Sequence, residues 1–377
     1  MVSPVWSGWS AAGPNGVASG EWWAVPVFAW ATSRLLVLIA MGLIAPQLPF
    51  PGGNAVTLSP ELLAPWDGGW YGEIAKNGYE FAPGGDQHSL AFFPLYPLLM
   101  RGAMAFGAPW VVAGVLLNNL SFLGALILLH RWASERYDVG VARWAVAILA
   151  YCPYSLFAAL VYSEGLFLLL SLAALWAFDR QLYGLAAVAG ALATATRVTA
   201  LPLVAAMALV AWRERRGAAA YGAAFATGLG LLAFIAYCAL AFGAPLGFLE
   251  AQYGWRSALG FDWMGWLNAL SLGFFGTPVP GGTIVAVIFL GGLALLGYHR
   301  TRLPAIGFWY GLGALTLILS SGSLVSIDRY VYGVAPISLA LALSLARHLR
   351  WGGAVLVYFV VTLLGYGARL AQGLWVA

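Results

Sequence analysis

PWDGGWYGEIAKNGYEFAPGGDQHSLAFFPLYP, running from Pro65 to Pro97, is the stretch on which the reading of this chain turns. It carries Asp67, Glu73, Lys76, Glu80 and Asp86, with His88 behind them, in a chain that is only 8% charged. The segment opens as a helix: Pro65 suits a first-turn position, and Asn77-Gly78 is a good C-terminal stop. Trp66, Trp70 and Ile74 repeat at i, i+4 and i+8 and are expected to bury one face. Asp67 and Tyr71 lie one step round, and Glu73, Lys76 and Glu80 share a polar face. A helix lying on a membrane surface has the same pattern without any chemistry. Asp67 stands apart, because it is wedged between Trp66 and a Gly-Gly pair near the apolar face. Desolvation there would make a carboxylate a usable base.

Around this island the chain is mostly hydrocarbon. Of 377 residues 62% are hydrophobic, and the mean hydropathy is +0.84, far above the apolar share of a soluble domain. Apolar runs of about 17 to 25 residues, long enough to cross a bilayer core, recur from Trp22 onward. The expected class is an all-α polytopic membrane protein, one domain over residues 1–377 with no room for a separate soluble unit. Eighteen Trp and seventeen Tyr suit interfacial belts. Cys152 and Cys238 lie in apolar runs and suggest neither a disulfide framework nor a metal site. The net charge of +4 does not point to nucleic acid, because most arginines flank hydrophobic runs. The first twenty residues lack a basic leader, and the run from Trp22 to Ala45 is long enough to stay as a span.

Those arginines set the topology. Arg131/Arg136/Arg143, Arg180, Arg213/Arg215/Arg216, Arg300/Arg302 and Arg347/Arg350 are all expected on the cytoplasmic side, so an even number of crossings separates neighbouring clusters. Trp144–Leu160 with Glu164–Phe178 makes one pair. Tyr221–Phe242 with Thr283–Tyr298 makes another, and Ala305–Ser320 with Tyr330–Leu345 a third. Gly184–Trp212 fits only as two short helices turning near Arg197, with Pro202 and neighbouring threonines marking the break, which must then line a cavity. Leu98–Phe106, confined by prolines, is expected to lie on the outer surface, and Val111–His130 to be the second span. With Gly353–Gly367 as the last, about eleven transmembrane helices result. They leave a large first external loop at 46–109, carrying interfacial helices, and a second at 243–282. Most carboxylates outside the arginine clusters then fall on the external side.

Several residues have both a functional and a structural reading. Arg197, inside an apolar run, needs a cavity and a partner, so it is a phosphate ligand or half of an internal ion pair. Arg329 could bind a phosphate bidentately or pair with its neighbour Asp328. Arg34 lies mid-span, as a cavity residue or a packing pair. Glu164, in Tyr162-Ser163-Glu164, either caps its helix through the dipole or lines a pocket. His88 is a loop histidine or a catalyst. Trp255, Trp263 and Trp266 either anchor at the interface or stack on a ring. No HxH, DxD or ExxH spacing appears, so no metal is expected.

The run WDGGWYGEIAKNGY followed by AFFPLYPLL resembles the phosphatidylinositol-glycan class V mannosyltransferases and their prokaryotic relatives, within the GT-C superfamily. The resemblance continues through CPYSLFAALVYSEGLFLLL (Cys152–Leu170) and ALATATRVTALP (Ala191–Pro202), and returns more weakly in SIDRYVYGVAP (Ser326–Pro336). It implies a GT-C bundle and a sugar, mannose above all, moved from a polyprenyl- or dolichyl-phosphate donor to a hydroxyl of a glycolipid or glycan. It also implies a catalytic aspartate in the first external loop, which falls on Asp67. Arg197 and Arg329 are then the expected donor-phosphate ligands. Trp66, Tyr71, Glu73, His88, Tyr162, Glu164 and Tyr330 are candidates for the sugar and acceptor pocket. A single base favours inversion, whereas a retaining site would want two carboxylates about 5–5.5 Å apart. Neither cofactor nor nucleic acid is expected. The expected place is the plasma (inner) membrane, with the site on its extracytoplasmic face among membrane lipids. The competing class is a polytopic transporter or flippase, which would show paired internal repeats; no second copy of the Trp66–Pro97 pattern is present.

Overall fold

A computed structural model describes residues 22–49, 56–81, 87–255, 260–272 and 281–376. Asp86 lies outside the described residues, as do the first twenty. Among those described, regular structure is helical apart from one isolated bridge between Gly260 and Ser321. The helices follow the chain as α1 (Ala24–Ile39), α2 (Asp67–Asn77), α3 (Leu95–Ala105), α4 (Trp110–Arg136), α5 (Val139–Tyr151), α6 (Glu164–Asp179), α7 (Tyr183–Thr194) and α8 (Pro202–Arg213). After them come α9 (Ala218–Thr227), α10 (Leu229–Phe242), α11 (Gly247–Glu250), α12 (Trp263–Leu270), α13 (Gly282–Tyr298) and α14 (Ala305–Leu319). The last three are α15 (Ile327–Tyr332), α16 (Ala335–Leu345) and α17 (Leu349–Ala371).

Among the described residues, four helical stretches are long and apolar enough to cross a membrane: Ala24–Gln47, Trp110–Arg136, Ala218–Phe242 (α9 continued by α10) and Leu349–Ala371. The rest of an eleven-crossing topology would have to be completed by shorter apolar helices and by one bent pair. Gly184–Trp212 does divide as its flanking charges require. α7 ends at Thr194, Arg197 is extended (φ −156°, ψ 145°), and α8 starts at Pro202. Trp144–Leu160 does not form the continuous helix that its hydropathy suggests. α5 stops at Tyr151, and a 3-10 stretch from Pro153 to Ala159 bends away by 72°.

Backbone freed from a helix in an apolar interior needs partners, because no water is there to supply them. Asn118 of α4, fully buried, supplies three of them. Its amide donates to the carbonyls of Phe157 (2.7 Å) and Leu160 (2.8 Å), and its side-chain oxygen accepts from Gly165 N–H (2.7 Å). Arg34 of α1 donates to the Ser155 carbonyl (2.9 Å) and hydroxyl (3.2 Å) and lies over the Phe122 ring. Its mid-span charge is therefore a structural bracket for the break. Gly165 has to be glycine for the same reason, since a Cβ there would stand 2.2 Å from the Asn118 carbonyl.

The basic ends of the helices are tied together. Arg180 after α6 meets Glu135 of α4 at 2.5 Å, and Trp132 Nε1–H donates to Asp179 at 3.0 Å. Arg216 after α8 donates to the Phe178 carbonyl at 2.7 Å, and the Tyr137 hydroxyl to that of Arg302 at 2.8 Å. α6 runs from Glu164 to this basic end, α7 returns from it toward Arg197, and α8 runs back to it from Pro202. The opposite ends of these three helices meet around Glu164 and Arg197.

Replacing Asn118 by Leu keeps the volume but takes a partner from the Phe157 and Leu160 carbonyls and from the Gly165 N–H, of which the Leu160 carbonyl keeps only the Tyr162 N–H; each buried group left unpaired costs about 1–3 kcal/mol. A large fall in the thermal unfolding midpoint of the detergent-solubilised protein is expected. Gly69→Ala meets nothing within 4 Å and should leave that midpoint unchanged or raise it slightly.

Candidate active site

α2 positions the first acidic group, though not through the tryptophan face that the sequence suggests. Its buried side is the stripe Gly68, Tyr71, Gly72, Ile74 and Ala75. A Cβ on Gly68 would crowd the Val161 carbonyl at 3.1 Å, and one on Gly72 would enter the Trp110 ring at 2.4 Å. The glycines let α2 sit flat against α4 and the segment before α6, and Trp66 and Trp70 turn instead to a cavity. The helix starts at Asp67, two residues after Pro65. Trp66, immediately before it, has φ 47° and ψ −109°, a conformation costly for a bulky side chain and one that gathers at functional sites. Asp67 therefore sits in the first turn, where the helix dipole favours a carboxylate. Gly78 ends the helix at φ 92°, as expected.

The cavity measures about 640 Å³, within the usual range for a small-molecule site. Its wall is built by Trp66 and α2 (Asp67, Trp70, Tyr71), the α7–α8 break (Thr196 to Thr199), the segment before α3 (Phe92, Phe93), and the region of α11 as far as Trp255. Serines between α14 and α15, then Arg329, Tyr330 and Trp375, complete it.

Four charges form one network at and behind this wall. Arg329 Nη2 lies 2.9 Å from Asp67 Oδ2, and its Nε lies 3.5 Å from Glu164 Oε1. Arg197 Nη2 lies 2.6 Å from the same Glu164 oxygen. Arg197 Nε–H donates to Ser163 Oγ at 2.8 Å, and that hydroxyl meets the Tyr71 hydroxyl at 2.9 Å. Exposure is graded: the Glu164 side chain is 1% exposed, Arg329 7%, Arg197 12% and Asp67 20%. Asp67 and, behind it, Glu164 supply the counter-charge that offsets the burial of the Arg329 guanidinium. Phe157, Tyr162 and Tyr330 surround that guanidinium, their ring centroids 5.1–5.5 Å away.

Asp67, Arg197, Arg329, Trp66, Tyr71 and Tyr330 thus share one cavity wall. Tyr162 and Glu164 stand just behind it. The Tyr162 hydroxyl donates to the Pro65 carbonyl at 3.2 Å, and Glu164 backs both arginines. Asp328 does not pair with its neighbour Arg329 through side chains, because its carboxylate accepts the Tyr154 hydroxyl at 2.7 Å. Glu73 and His88 are not on the wall. Glu73 lies six residues beyond Asp67, about 240° round the helix, where it is exposed and paired with Lys76 and Asn77. His88 packs edge-on against Phe81. Of the loop tryptophans, Trp255 reaches the cavity and meets Trp70 edge to face at 5.6 Å. Trp266 packs on Phe289, and Trp263 is exposed. Sequence reading missed Ser163, whose only signal was its place between Tyr162 and Glu164. It also missed Trp375, whose ring lies 4.8 Å from that of Trp66.

Residues 40–213 match the family described as mannosyltransferase (PIG-V). The resemblance to the PIG-V mannosyltransferases holds. Human GPI alpha-1,6-mannosyltransferase 2 is 26% identical over 182 residues, a match that covers 39% of this chain and 34% of that protein. The chain thus aligns with about a third of the length of this curated relative. Two solved structures share the fold. ArnT from Cupriavidus metallidurans, bound to undecaprenyl phosphate, has a TM-score of 0.54 at 13% identity, covering 86% of this chain and 60% of its own. An Archaeoglobus fulgidus oligosaccharyltransferase, complexed with zinc and sulfate, has a TM-score of 0.50 at 13% identity, covering 92% and 52%. The fold is therefore that of the GT-C membrane glycosyltransferases, and the apolar helices make the chain a multi-pass membrane protein. The PIG-V block spans α2 to α8, the elements that carry Asp67, Glu164 and Arg197, and these comparisons do not favour a transporter.

Removing one partner of a buried ion pair commonly costs about 3–5 kcal/mol, because the other charge is stranded. Glu164→Gln is therefore expected to lower thermal stability strongly. Adding Arg197→Met should recover part of the loss, which a double-mutant cycle on the unfolding midpoint measures directly.

Proposed function

We propose that this chain is an inverting membrane glycosyltransferase that moves a hexose, mannose on the family likeness, from a polyprenyl-phosphate donor to a hydroxyl on a glycolipid or glycan. The observation that carries the reading is the cavity wall on which a half-buried carboxylate, Asp67, stands beside the guanidiniums of Arg329 and Arg197. Asp67 takes the proton of the acceptor hydroxyl as its oxygen attacks the anomeric carbon. The bond from that carbon to the phosphate oxygen breaks, its electron pair stays on the phosphate, and the two arginines meet the charge that develops. Arginine suits the task through its planar fork. Trp66, Trp70 and Trp255 offer apolar faces for a sugar ring, and Tyr71 and Tyr330 offer hydroxyls. We place the cavity on the extracytoplasmic face of the plasma membrane, as the ends of α6, α7 and α8 opposite the arginine-rich ends support under the positive-inside rule. Residues 1–377 would then belong to a single transmembrane domain.

The test is kinetic. Asp67→Asn retains shape but cannot accept the proton, so kcat should fall by ~10²–10⁴-fold. Asp67→Glu, whose carboxylate is displaced by about 1 Å, should lose ~10²-fold. Glu73→Gln, remote from the wall, should turn over near the parent rate; a loss there greater than at Asp67 would defeat the assignment. Arg197→Ala and Arg329→Ala should weaken donor binding, with Lys restoring only part because it lacks the fork. Since the phosphate charge is met by arginine in this scheme, turnover should survive EDTA. Loss on chelation with recovery in magnesium or manganese would show a metal site instead.

A further inference from the structure

The charges of the network cancel: two guanidiniums, Arg197 and Arg329, face two carboxylates, Asp67 and Glu164. A sugar-phosphate diester adds one negative charge, and bringing it into an already neutral, largely buried site is costly unless something yields. The two carboxylates are not equivalent. Glu164 is almost wholly enclosed, contacts both arginines through Oε1, and has no hydrogen-bond partner at Oε2 among the described residues. It has nowhere to go, and without it both guanidiniums would lose their fixed counter-charge. Asp67 is on the cavity wall, is more exposed, and has one ionic contact among the described residues, to Nη2 of Arg329.

We propose that the donor phosphate displaces Asp67 from Arg329, so that Asp67 is unpaired and able to act as base only when donor is bound, while Glu164 is the positioning residue that holds both guanidiniums throughout. This rests on the reading of Asp67 and the arginines given above. Phosphate takes the Nη2 position and Glu164 keeps the Nε side and Arg197. A carboxylate released from a guanidinium is a stronger base, so the base is armed as the electrophile arrives. After transfer Asp67 holds the acceptor's proton and is neutral, so it does not compete for Arg329. Loss of that proton restores its charge, and re-pairing with Arg329 helps to expel the polyprenyl phosphate. Donor and Asp67 are then competing ligands of one guanidinium, linked with opposite sign.

The experiment measures binding of undecaprenyl phosphate and of undecaprenyl-phosphate mannose to the detergent-solubilised full chain. Parent, Asp67→Asn, Asp67→Ala and Glu164→Gln are compared, with turnover followed in parallel. Removing the competitor should tighten binding in both Asp67 variants, about tenfold, within the usual range of coupling. Glu164→Gln should weaken it, because the fork is no longer held. Unchanged or weaker binding in the Asp67 variants, with turnover lost, would overturn displacement and leave the base assignment standing. Tighter binding with turnover retained would leave displacement standing and remove Asp67 as base. Tightening in Glu164→Gln alone would make Glu164 the displaced group and overturn the proposal. Should Asp67→Asn fail to fold, Asp67→Ala supplies the same reading.

Discussion

A carboxylate with 1% of its side chain exposed, in a chain that is mostly hydrocarbon, is the constraint on which the rest of the site depends. Glu164 opens α6 and cannot be solvated there, so it is tolerable only if cations come to it. They come from two remote segments, Arg197 in the α7–α8 break and Arg329 in α15. Arg329 in turn meets Asp67 at the start of α2. One buried charge thus fixes the relative placement of α2, α6, the α7–α8 break and α15. The same burial leaves the charges of the arginines little screened by water.

Breaks in helices are the means by which this cluster is held inside the bundle. α7 and α8 part at Arg197, and the α5 run gives way to a bent 3-10 stretch before Glu164. Each break frees backbone groups that hydrocarbon cannot satisfy. Asn118 and Arg34, polar side chains on otherwise apolar helices, take up carbonyls along the second break. Polar residues buried in the bundle therefore divide into two kinds of work. Arg34 and Asn118 stabilise irregular backbone, and Arg197, Arg329, Glu164 and Asp67 form the cavity's charged end. Across the bundle, the Glu135–Arg180 ion pair and the hydrogen bonds from Trp132 to Asp179 and from Arg216 to the Phe178 carbonyl gather the basic helix ends.

By itself the sequence determined the class, the family resemblance and much of the site. Composition and apolar runs require an all-α membrane bundle, because few other structures satisfy their backbone in lipid. The parity of arginine clusters around Gly184–Trp212 required a break near Arg197, and the structure has one. WDGGWYG, YSEG and the arginine between the two apolar halves marked Asp67, Glu164 and Arg197, because charge in so apolar a chain is costly and therefore informative. Only the tertiary structure decided how these residues are paired. Periodicity placed the tryptophans of α2 in the core, yet Gly68 and Gly72 let the opposite stripe approach Val161 and Trp110, and the rings turned to the cavity. Arg329 stands beside Asp328 in sequence, but pairs with groups more than 150 positions away, since Tyr154 takes up the Asp328 carboxylate. Trp375 reaches Trp66 across almost the whole chain. Local pattern reports what a residue costs to bury; which distant partner offsets that cost is settled by the packing of helices whose faces are nearly all alike.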